Sequence, residues 1–566
     1  MPSIIHIRGL VYSYRRQEQR PALQGIDLEI EAGEFVAIAG RAGSGKSTVC
    51  YALNGLIPQS FGGRMAGEVR VCGLDTRSTS VPELARHVGI VLQSAESQLV
   101  GLSVEEDAAF GLENIGLPSQ EVNARVLSAL HAVNLHEIAH RSPWTLSGGQ
   151  KQRLAIAAAI AFQPEVLVLD NPTAELDPVG KQEVMATIAR LNSEHGLTVV
   201  IVDQELEEVI PYVSRLILMD HGQIVHAGKP ADVIDRAQDV LELGVKLPEV
   251  AQVAWKLRGL GRWNGPLPLC IDDAVSGLQE LPQAAPTVEP VSQRGQPGET
   301  LIELENVSFA YSDGTPVLSN INLTVRQGEF VTLMGPNGAG KTTLAKHFNG
   351  LLLPGSGRVL VHGTDTRDSS VAKLAQKVGY VFQNPDHQIF SRTAAEELAF
   401  GPRNLGWPDD KIAEAVRIAL TRIDGKERGK EDPFFMGLAE RKLIAIASVL
   451  VMQPEVLVLD EPATGADHEA AMRIMNYLSE LHRQGLTIVI VTHDVSLAAN
   501  YADRIVALRS GRILLDGTPR EVFQRSEELR SCLVTPPQVA TLAQKLDGRF
   551  SSIYRVDEMV QCFASA

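Results

Sequence analysis

Phe35-Val-Ala-Ile-Ala39-Gly40-Arg-Ala-Gly43-Ser-Gly45-Lys46-Ser47-Thr48 decides the fold of this chain, and Phe330-Val-Thr-Leu-Met334-Gly335-Pro-Asn337-Gly338-Ala-Gly340-Lys341-Thr342-Thr343 repeats it. Each stretch reads as a short buried strand, a glycine-rich turn and the start of a helix. In such a turn the glycines let backbone N–H groups close on phosphate oxygens. Lys46 or Lys341 reaches the outer oxygens, and the hydroxyl of Ser47 or Thr342 ligates Mg²⁺. The helix start adds its partial positive charge. The chemistry indicated is a triphosphate held with Mg²⁺, twice.

Working outward, the chain repeats itself. Asp170 and Asp460 lie 290 positions apart, as do Gln163-Pro-Glu165 and Gln453-Pro-Glu455. That predicts two domains of one fold, at 1–280 and 301–566. Residues 281–300, rich in Pro, Gln, Glu and Ser, form a linker that could span roughly 60–70 Å when extended. Val166–Leu169 and Val456–Leu459 are continuous apolar runs, as strands buried on both faces of a parallel sheet should be. Helices over 178–193 and 468–483 lead to strands over 198–202 and 487–491. The expected class is α/β, each domain having a mostly parallel core and a β-rich N-terminal part. A helix-rich lobe is expected between Lys46 and Asp170, and a short helical extension at the C-terminal end of each half. Those extensions, after Pro248 and Pro537, carry apolar stripes (Val250, Val253, Ala254, Leu257; Val539, Leu542, Ala543, Leu546) that are expected to pair with each other.

The composition excludes some functions. A net charge of −16 argues against phosphate-backbone binding, and 5% aromatic content is thin for base stacking, so nucleic acid is not an expected partner. Five scattered cysteines lack metal-ligand spacing and read as reduced thiols. Met1-Pro-Ser-Ile-Ile-His opens no signal peptide, and no apolar run approaches the roughly 18–20 residues needed to cross a bilayer. The most apolar segment, Ala155 to Phe162, reads as a buried helix. Any membrane role must come through a partner.

Asp170 and Asp460 end the buried strands, where a carboxylate can hold Mg²⁺ through water. Glu461 follows Asp460 and can orient and deprotonate an attacking water. Asn171 stands in its place in the first half, and a neutral amide is no base. In Leu146-Ser147-Gly148-Gly149-Gln150 the chain resembles the ABC-transporter ATPases, and both halves resemble a tandem ABC ATPase with two P-loop domains. The second half has Met436-Gly-Leu-Ala-Glu440 at that signature position. The resemblance implies ATP as the nucleotide, cradled by Gly40, Gly43, Gly45, Lys46, Ser47 and Thr48 in one half. In the other it implies Gly335, Asn337, Gly338, Gly340, Lys341, Thr342 and Thr343. It implies adenine-stacking Tyr14 and Tyr311, and glutamine loops at Gln93 and Gln383 that join the Mg²⁺ shell with Ser47, Thr342 and Asp460. It also implies D-loop aspartates, Asp177 and Asp467, and a switch histidine, His493, whose place Gln204 takes in the first half.

In that family the signature of one domain closes over the nucleotide of the other. Head-to-tail pairing within the chain would set Lys46, Asp170, Asn171 and Gln204 against Met436–Glu440. It would set Lys341, Asp460, Glu461 and His493 against Ser147, Gly148, Gly149 and Gln150. All the lesions then fall in the first site, with Glu440 adding negative charge to it, and all the competent parts fall in the second. Glu461, His493 and Gln383 are the expected catalytic residues.

A narrower resemblance follows the glutamine loop. Val381-Phe-Gln383-Asn-Pro385-Asp-His-Gln388-Ile-Phe390 and Phe400-Gly-Pro-Arg-Asn404-Leu resemble the ATPases of energy-coupling factor (ECF) importers of vitamins and transition metals. This implies a peripheral protein on the cytoplasmic face of the cell membrane. It would dock on a transmembrane coupling protein that works with a substrate-binding membrane protein. Two other readings stand beside it. One is the ATPase of another importer class, such as tandem sugar-uptake ATPases. The other is a soluble tandem ABC protein acting on ribosomes or DNA. Co-purification with membranes or with ribosomes separates the classes. Substrate choice rests with the membrane partner.

Overall fold

The computed structural model describes all residues except 1–2, 16–20, 175, 283–297, 313, 424 and 565–566, and the side chain of 426. The chain divides into two compact units, Met1–Leu281 and Pro282–Ala566. Most of the expected linker, 283–297, lies outside the described residues.

Each unit is built on two sheets. In the first, Leu23–Glu31, Ser3–Ser13, Arg64–Val71 and Leu74–Asp75 form an antiparallel sheet in that order. The core sheet runs Gln223–Gly228, Arg215–Asp220, Phe35–Ala39, Thr198–Val202, Val166–Asp170, Val88–Val91. It is parallel throughout except for the edge strand Gln223–Gly228. The second unit repeats this order with Val378–Val381, Val456–Asp460, Thr487–Val491, Phe330–Met334, Arg504–Arg509 and Arg512–Gly517. The apolar strands are buried at every position, as continuous runs require.

The pleat sends successive side chains to opposite faces, and each face meets a different core. Val456 and Val458 pack with Ile302, Leu323 and Val359 of the antiparallel sheet. Leu457 and Leu459 pack with Leu398, Ile412, Val416 and Ile444 of the helical lobe. Each such side chain contributes about 1.5–3 kcal/mol by burial, so the sheet is anchored from both sides and its strand ends are held in fixed register.

The stretch between Lys46 and Asp170 is not all lobe. Helices Val104–Asn114, Ser119–Ala132 and Gly148–Ile160 form it, but Arg64–Val71 and Leu74–Asp75 join the antiparallel sheet and Val88–Val91 becomes the core's edge strand. Strands this short carry too few alternations to be read from periodicity. The apolar Ala155–Phe162 segment is the end of the helix Gly148–Ile160, buried through Ala157.

The extensions are helical as expected, at Glu249–Gly259 and Gln538–Leu546. Val250, Val253, Ala254 and Leu257 are buried, as are Val539, Leu542 and Ala543. Ala540 packs within its own unit, in a core with Met334, Val495, Phe523 and Tyr554. No described helix is long and apolar enough to cross a membrane.

Candidate functional site

The C-terminal ends of adjacent parallel strands collect the site residues, as open α/β sheets do. In the second unit Phe330–Met334 feeds the glycine loop, Val456–Asp460 ends in Asp460 and Glu461, and Thr487–Val491 leads to His493. Gln383 follows the next strand, Val378–Val381, and is exposed.

The glycine loops require glycine on steric grounds. Gly335 has φ 144°, and a Cβ there would sit 2.3 Å from the Leu508 carbonyl oxygen; Gly40, at φ 147°, would meet Met219 at 2.1 Å. Gly45 and Gly340 take φ near 98° and open the helices Lys46–Leu53 and Lys341–His347. Lys341 Nζ folds back to donate to the carbonyls of Gly335 (2.7 Å) and Pro336 (3.0 Å). Lys46 Nζ donates to Gly40 (2.7 Å) and Arg41 (2.6 Å). Both ammonium groups therefore sit over their own loops. Tyr311 and Tyr14 hydroxyls lie 3.1 Å from Thr343 Oγ1 and Thr48 Oγ1, tying the aromatic side chains to the loop helices.

Thr342 Oγ1 donates to Asp460 Oδ1 at 3.1 Å, and Tyr380 OH donates to Asp460 Oδ2 at 3.1 Å. Burial pushes the Asp460 carboxyl up, against the lowering effect of those two hydrogen bonds. Burial likewise raises Asp170, opposed by Ser47, Lys46 and Asn171. A hydroxyl and a carboxylate side by side are the hard oxygen donors that Mg²⁺ takes. The residues present fit that ion in both units.

Glu461 is buried, has φ 48°, and its N–H is held by the Val491 carbonyl at 2.9 Å. His493 Nδ1 lies 2.9 Å from Glu461 Oε1, and Thr464 Oγ1 donates to Oε2 at 2.9 Å. Burial alone would raise this carboxyl. The positive field and hydrogen bond of His493, with Lys341 and Thr464, outweigh it and hold the group below the usual glutamate range. Glu461 is thus kept ionised, as a general base must be.

In the first unit Asn171 keeps the backbone of that position, with φ 49° and its N–H on Val202 O at 2.8 Å. Its side-chain amide donates to Asp170 Oδ1 at 3.2 Å. Gln204 stands where His493 does. Beside it, Asp203 accepts from Thr173 Oγ1 at 2.7 Å, and burial pushes Asp203 up to about 6.

Ser147 caps the helix Gly148–Ile160, accepting from Gln150 N, while Gln150 Oε1 accepts from Ser147 N at 3.0 Å. Gly149 lies against Gly180, where a Cβ would come within 3.2 Å. Met436–Glu440 keeps half of this cap: Glu440 Oε2 accepts from Gly437 N at 2.9 Å, and the serine hydroxyl is gone. Glu440 is also paired with Arg428 of its own unit. Asp177 and Asp467 cap the helices that follow, accepting from Gly180 N and Ala470 N at 2.8 Å.

Gln93 and Gln383 are both exposed. Their loops are nonetheless braced. Gln388 accepts from Phe382 N at 3.1 Å and donates to Ala445 O at 2.8 Å. Glu397 accepts from Phe390 N and Ser391 N. The rings of Phe390 and Phe400 meet edge to face at 4.7 Å and remain 59% and 44% exposed.

Three residues around the base are not apparent from sequence reasoning. Tyr380 reaches Asp460, and the only cue was a polar tip in an otherwise apolar strand. Thr464, on the turn after Glu461, gave none. Lys442 donates to the carbonyls of Glu461 (3.0 Å) and Thr464 (2.7 Å), and burial pushes its ammonium down to about 8. Its counterpart in the first unit is Gln152, whose buried Nε2 finds no partner among the described residues.

A family described as ABC transporter matches residues 23–174 and 318–464. An ABC transporter ATP-binding protein of Caldanaerobacter subterraneus subsp. tengcongensis is 40% identical over 99% of this chain and 98% of its own. One from Methanosarcina mazei is 38% identical over 96% and 94%. The solved structure of cbiO1 from Clostridium perfringens, part of the ABC transporter complex cbiONQ, is 36% identical and covers 44% of this chain and 99% of its own. Its TM-score of 0.39 is too low to bear on fold or function.

Proposed function

The chain belongs to the ABC transporter family as a tandem ATP-binding protein, an ATPase coupled to transport, and from that premise we propose that it drives an ECF-type importer with one hydrolytic site. It works peripherally at the cytoplasmic face of the cell membrane. There it engages a transmembrane coupling protein and a substrate-binding membrane protein that takes up a vitamin or a transition metal. The two ATPase domains, 1–280 and 301–566, pair head to tail, and the linker 281–300 allows it.

The observation that carries this reading is the contrast between the two strand ends. Glu461 is buried, ionised and aligned by His493, while the Asn171 amide is spent on Asp170. Glu461 accepts a proton from the attacking water, and His493 holds the carboxylate in place. Thr342 and Asp460, with Gln383, would hold Mg²⁺, which would supply neutralisation of phosphate charge. Lys341 and the backbone N–H groups of the glycine loop orient the phosphates. The Ser147 hydroxyl and the start of its helix meet the γ-phosphate from the other half. The first site holds nucleotide through Lys46, Ser47 and Asp170 and turns over little. The importer class is supported by the Gln383–Phe390 motif: Phe390 at its end and Phe400 on the helix Ala394–Asn404 are exposed together as an apolar contact for a membrane partner.

Steady-state ATPase of Lys341→Ala and Lys46→Ala in the complex with the co-purified membrane proteins tests the reading. Lys341→Ala is expected to abolish turnover, and Lys46→Ala to leave a substantial fraction. Equal losses from the two would overturn the single-site assignment.

A further inference from the structure

The end of the core sheet remote from the phosphate loops carries a second chemistry. Val88–Val91 and Val166–Asp170 are parallel neighbours, with Val88 opposite Val166. His87 and Glu165 immediately precede them, so they lie side by side. The His87 carbonyl accepts from the N–H of Glu165 (3.0 Å) and of Val166 (3.1 Å), which fixes the pair's backbone. Cys72 arrives from the other sheet, on the turn between Arg64–Val71 and Leu74–Asp75. It has φ 52°, with its N–H on Ile4 O at 2.9 Å. These two independent backbone anchors bring a thiol, an imidazole and a carboxylate together. One ligand atom from each lies within 4.8 Å of the others, and His87 Nδ1 is 2.9 Å from Glu165 Oε1. Cys72 and His87 are half-buried and Glu165 is exposed.

We propose that Cys72, His87 and Glu165 form a Zn²⁺-class metal site that staples the antiparallel sheet of the first unit to its parallel core. A sulfur, nitrogen and oxygen donor set selects a borderline-soft cation over Mg²⁺ or Ca²⁺. Tetrahedral bonds of about 2.0–2.3 Å put neighbouring ligands about 3.3–3.8 Å apart. The observed spacing brackets that range, so side-chain adjustment is enough. The exposed side leaves a fourth position for water. On binding, the Cys72 thiol gives its proton to solvent and the sulfur–metal bond forms. His87 presents Nδ1 as the ligand with its N–H on Nε2. Thiolate and carboxylate together balance the ion's charge.

The chain contains its own control. The corresponding positions of the second unit are His362, Lys377 and Glu455. His362 Nε2 lies 3.3 Å from Glu455 Oε1, but the third position is an ammonium and not a ligand. The site therefore belongs to the first unit alone. It is independent of the transport reading.

Co²⁺ titration of the full metal-free chain, with excess Mg²⁺ present to fill the nucleotide sites, tests it. One equivalent is expected to give thiolate-to-cobalt charge-transfer absorption that Zn²⁺ displaces. Cys72→Ser should abolish that absorption. His87→Gln and Glu165→Gln should each weaken Zn²⁺ binding by at least about tenfold. Zn²⁺ should raise the melting temperature of the wild-type chain and not of Cys72→Ser. Folding of the variants is checked by nucleotide binding. Absent charge transfer in the wild-type chain, or its persistence in Cys72→Ser, would overturn the proposal. So would wild-type affinity in both His87→Gln and Glu165→Gln.

Discussion

Glu461 and Asn171 occupy the same backbone in two copies of one fold, and they differ only in what the side chain can do. Both have φ near +48°, and both N–H groups are held by the neighbouring strand at 2.8–2.9 Å. A left-handed backbone is unfavourable for glutamate and easier for asparagine. In the second unit the strain is retained together with a buried carboxylate, a histidine, a threonine and a braced backbone. In the first, the residue that fits the backbone best has replaced the one that does chemistry. The strained turn is therefore part of the scaffold, and the base is an addition that one copy has dropped. Strain of this kind persists where its surroundings over-determine it, and here Lys442 and Val491 do so.

The largest test of this contrast is Glu461→Gln. It keeps the size and the turn and removes the carboxylate placed to take a proton. ATPase in the assembled complex should fall by about 10²–10⁴-fold. Turnover within a few-fold of wild type would show that the first unit supplies the hydrolytic step.

Ser147→Ala asks whether the competent parts are divided between the halves. Ser147 caps its own helix, so part of its effect is structural, about 1 kcal/mol. If its hydroxyl also meets phosphate bound through Lys341, ATPase should drop by about 10–100-fold with the protein still folded. Ser147→Thr should recover much of the loss. An alanine variant with normal turnover would remove the head-to-tail division.

Much of this was legible in the sequence, for reasons specific to particular residues. The strands 166–170 and 456–460 were readable because both faces are buried, and the loops at Gly40 and Gly335 because no other residue fits. The edge strand Val88–Val91 was not, since four residues carry no period. Glu461 was visible as a carboxylate after a buried strand, but its partners Thr464, Lys442 and Tyr380 come from separate elements that meet only in the fold. The same holds for Cys72, His87 and Glu165. No ligand spacing joins them, because the cluster is made by strand adjacency across two sheets. The pairing of Glu440 with Arg428, twelve positions earlier, is hidden from the sequence for a related reason.

His493→Gln sharpens the comparison by making the second unit resemble the first at one position, that of Gln204. His493 is the main influence opposing burial at Glu461, so removing it should let the carboxyl rise. The base is active only when ionised. The acid limb of the kcat/KM profile should therefore move to higher pH in the variant, beyond any loss of rate at the optimum. A lowered rate with an unmoved acid limb would mean that His493 acts on phosphate alone and does not set the state of Glu461.

The smallest expected effect is that of Asn171→Glu. A glutamate there would restore the missing base in name only. Gln204 replaces the histidine, Gln152 replaces the lysine that braces the turn, and Asp170 loses the amide that now donates to it. The new carboxylate would stand beside Asp170 on a left-handed backbone, so stability should fall by about 1–2 kcal/mol. ATPase should stay within about twofold of wild type, because general-base catalysis needs an ionised and aligned group and not just a carboxyl. The sharper form is the double variant Glu461→Gln/Asn171→Glu. Its turnover should remain at the level of Glu461→Gln alone. Recovery of ten-fold or more would mean that the first site lacks nothing but its base, and that Gln204 and Met436–Glu440 are harmless replacements.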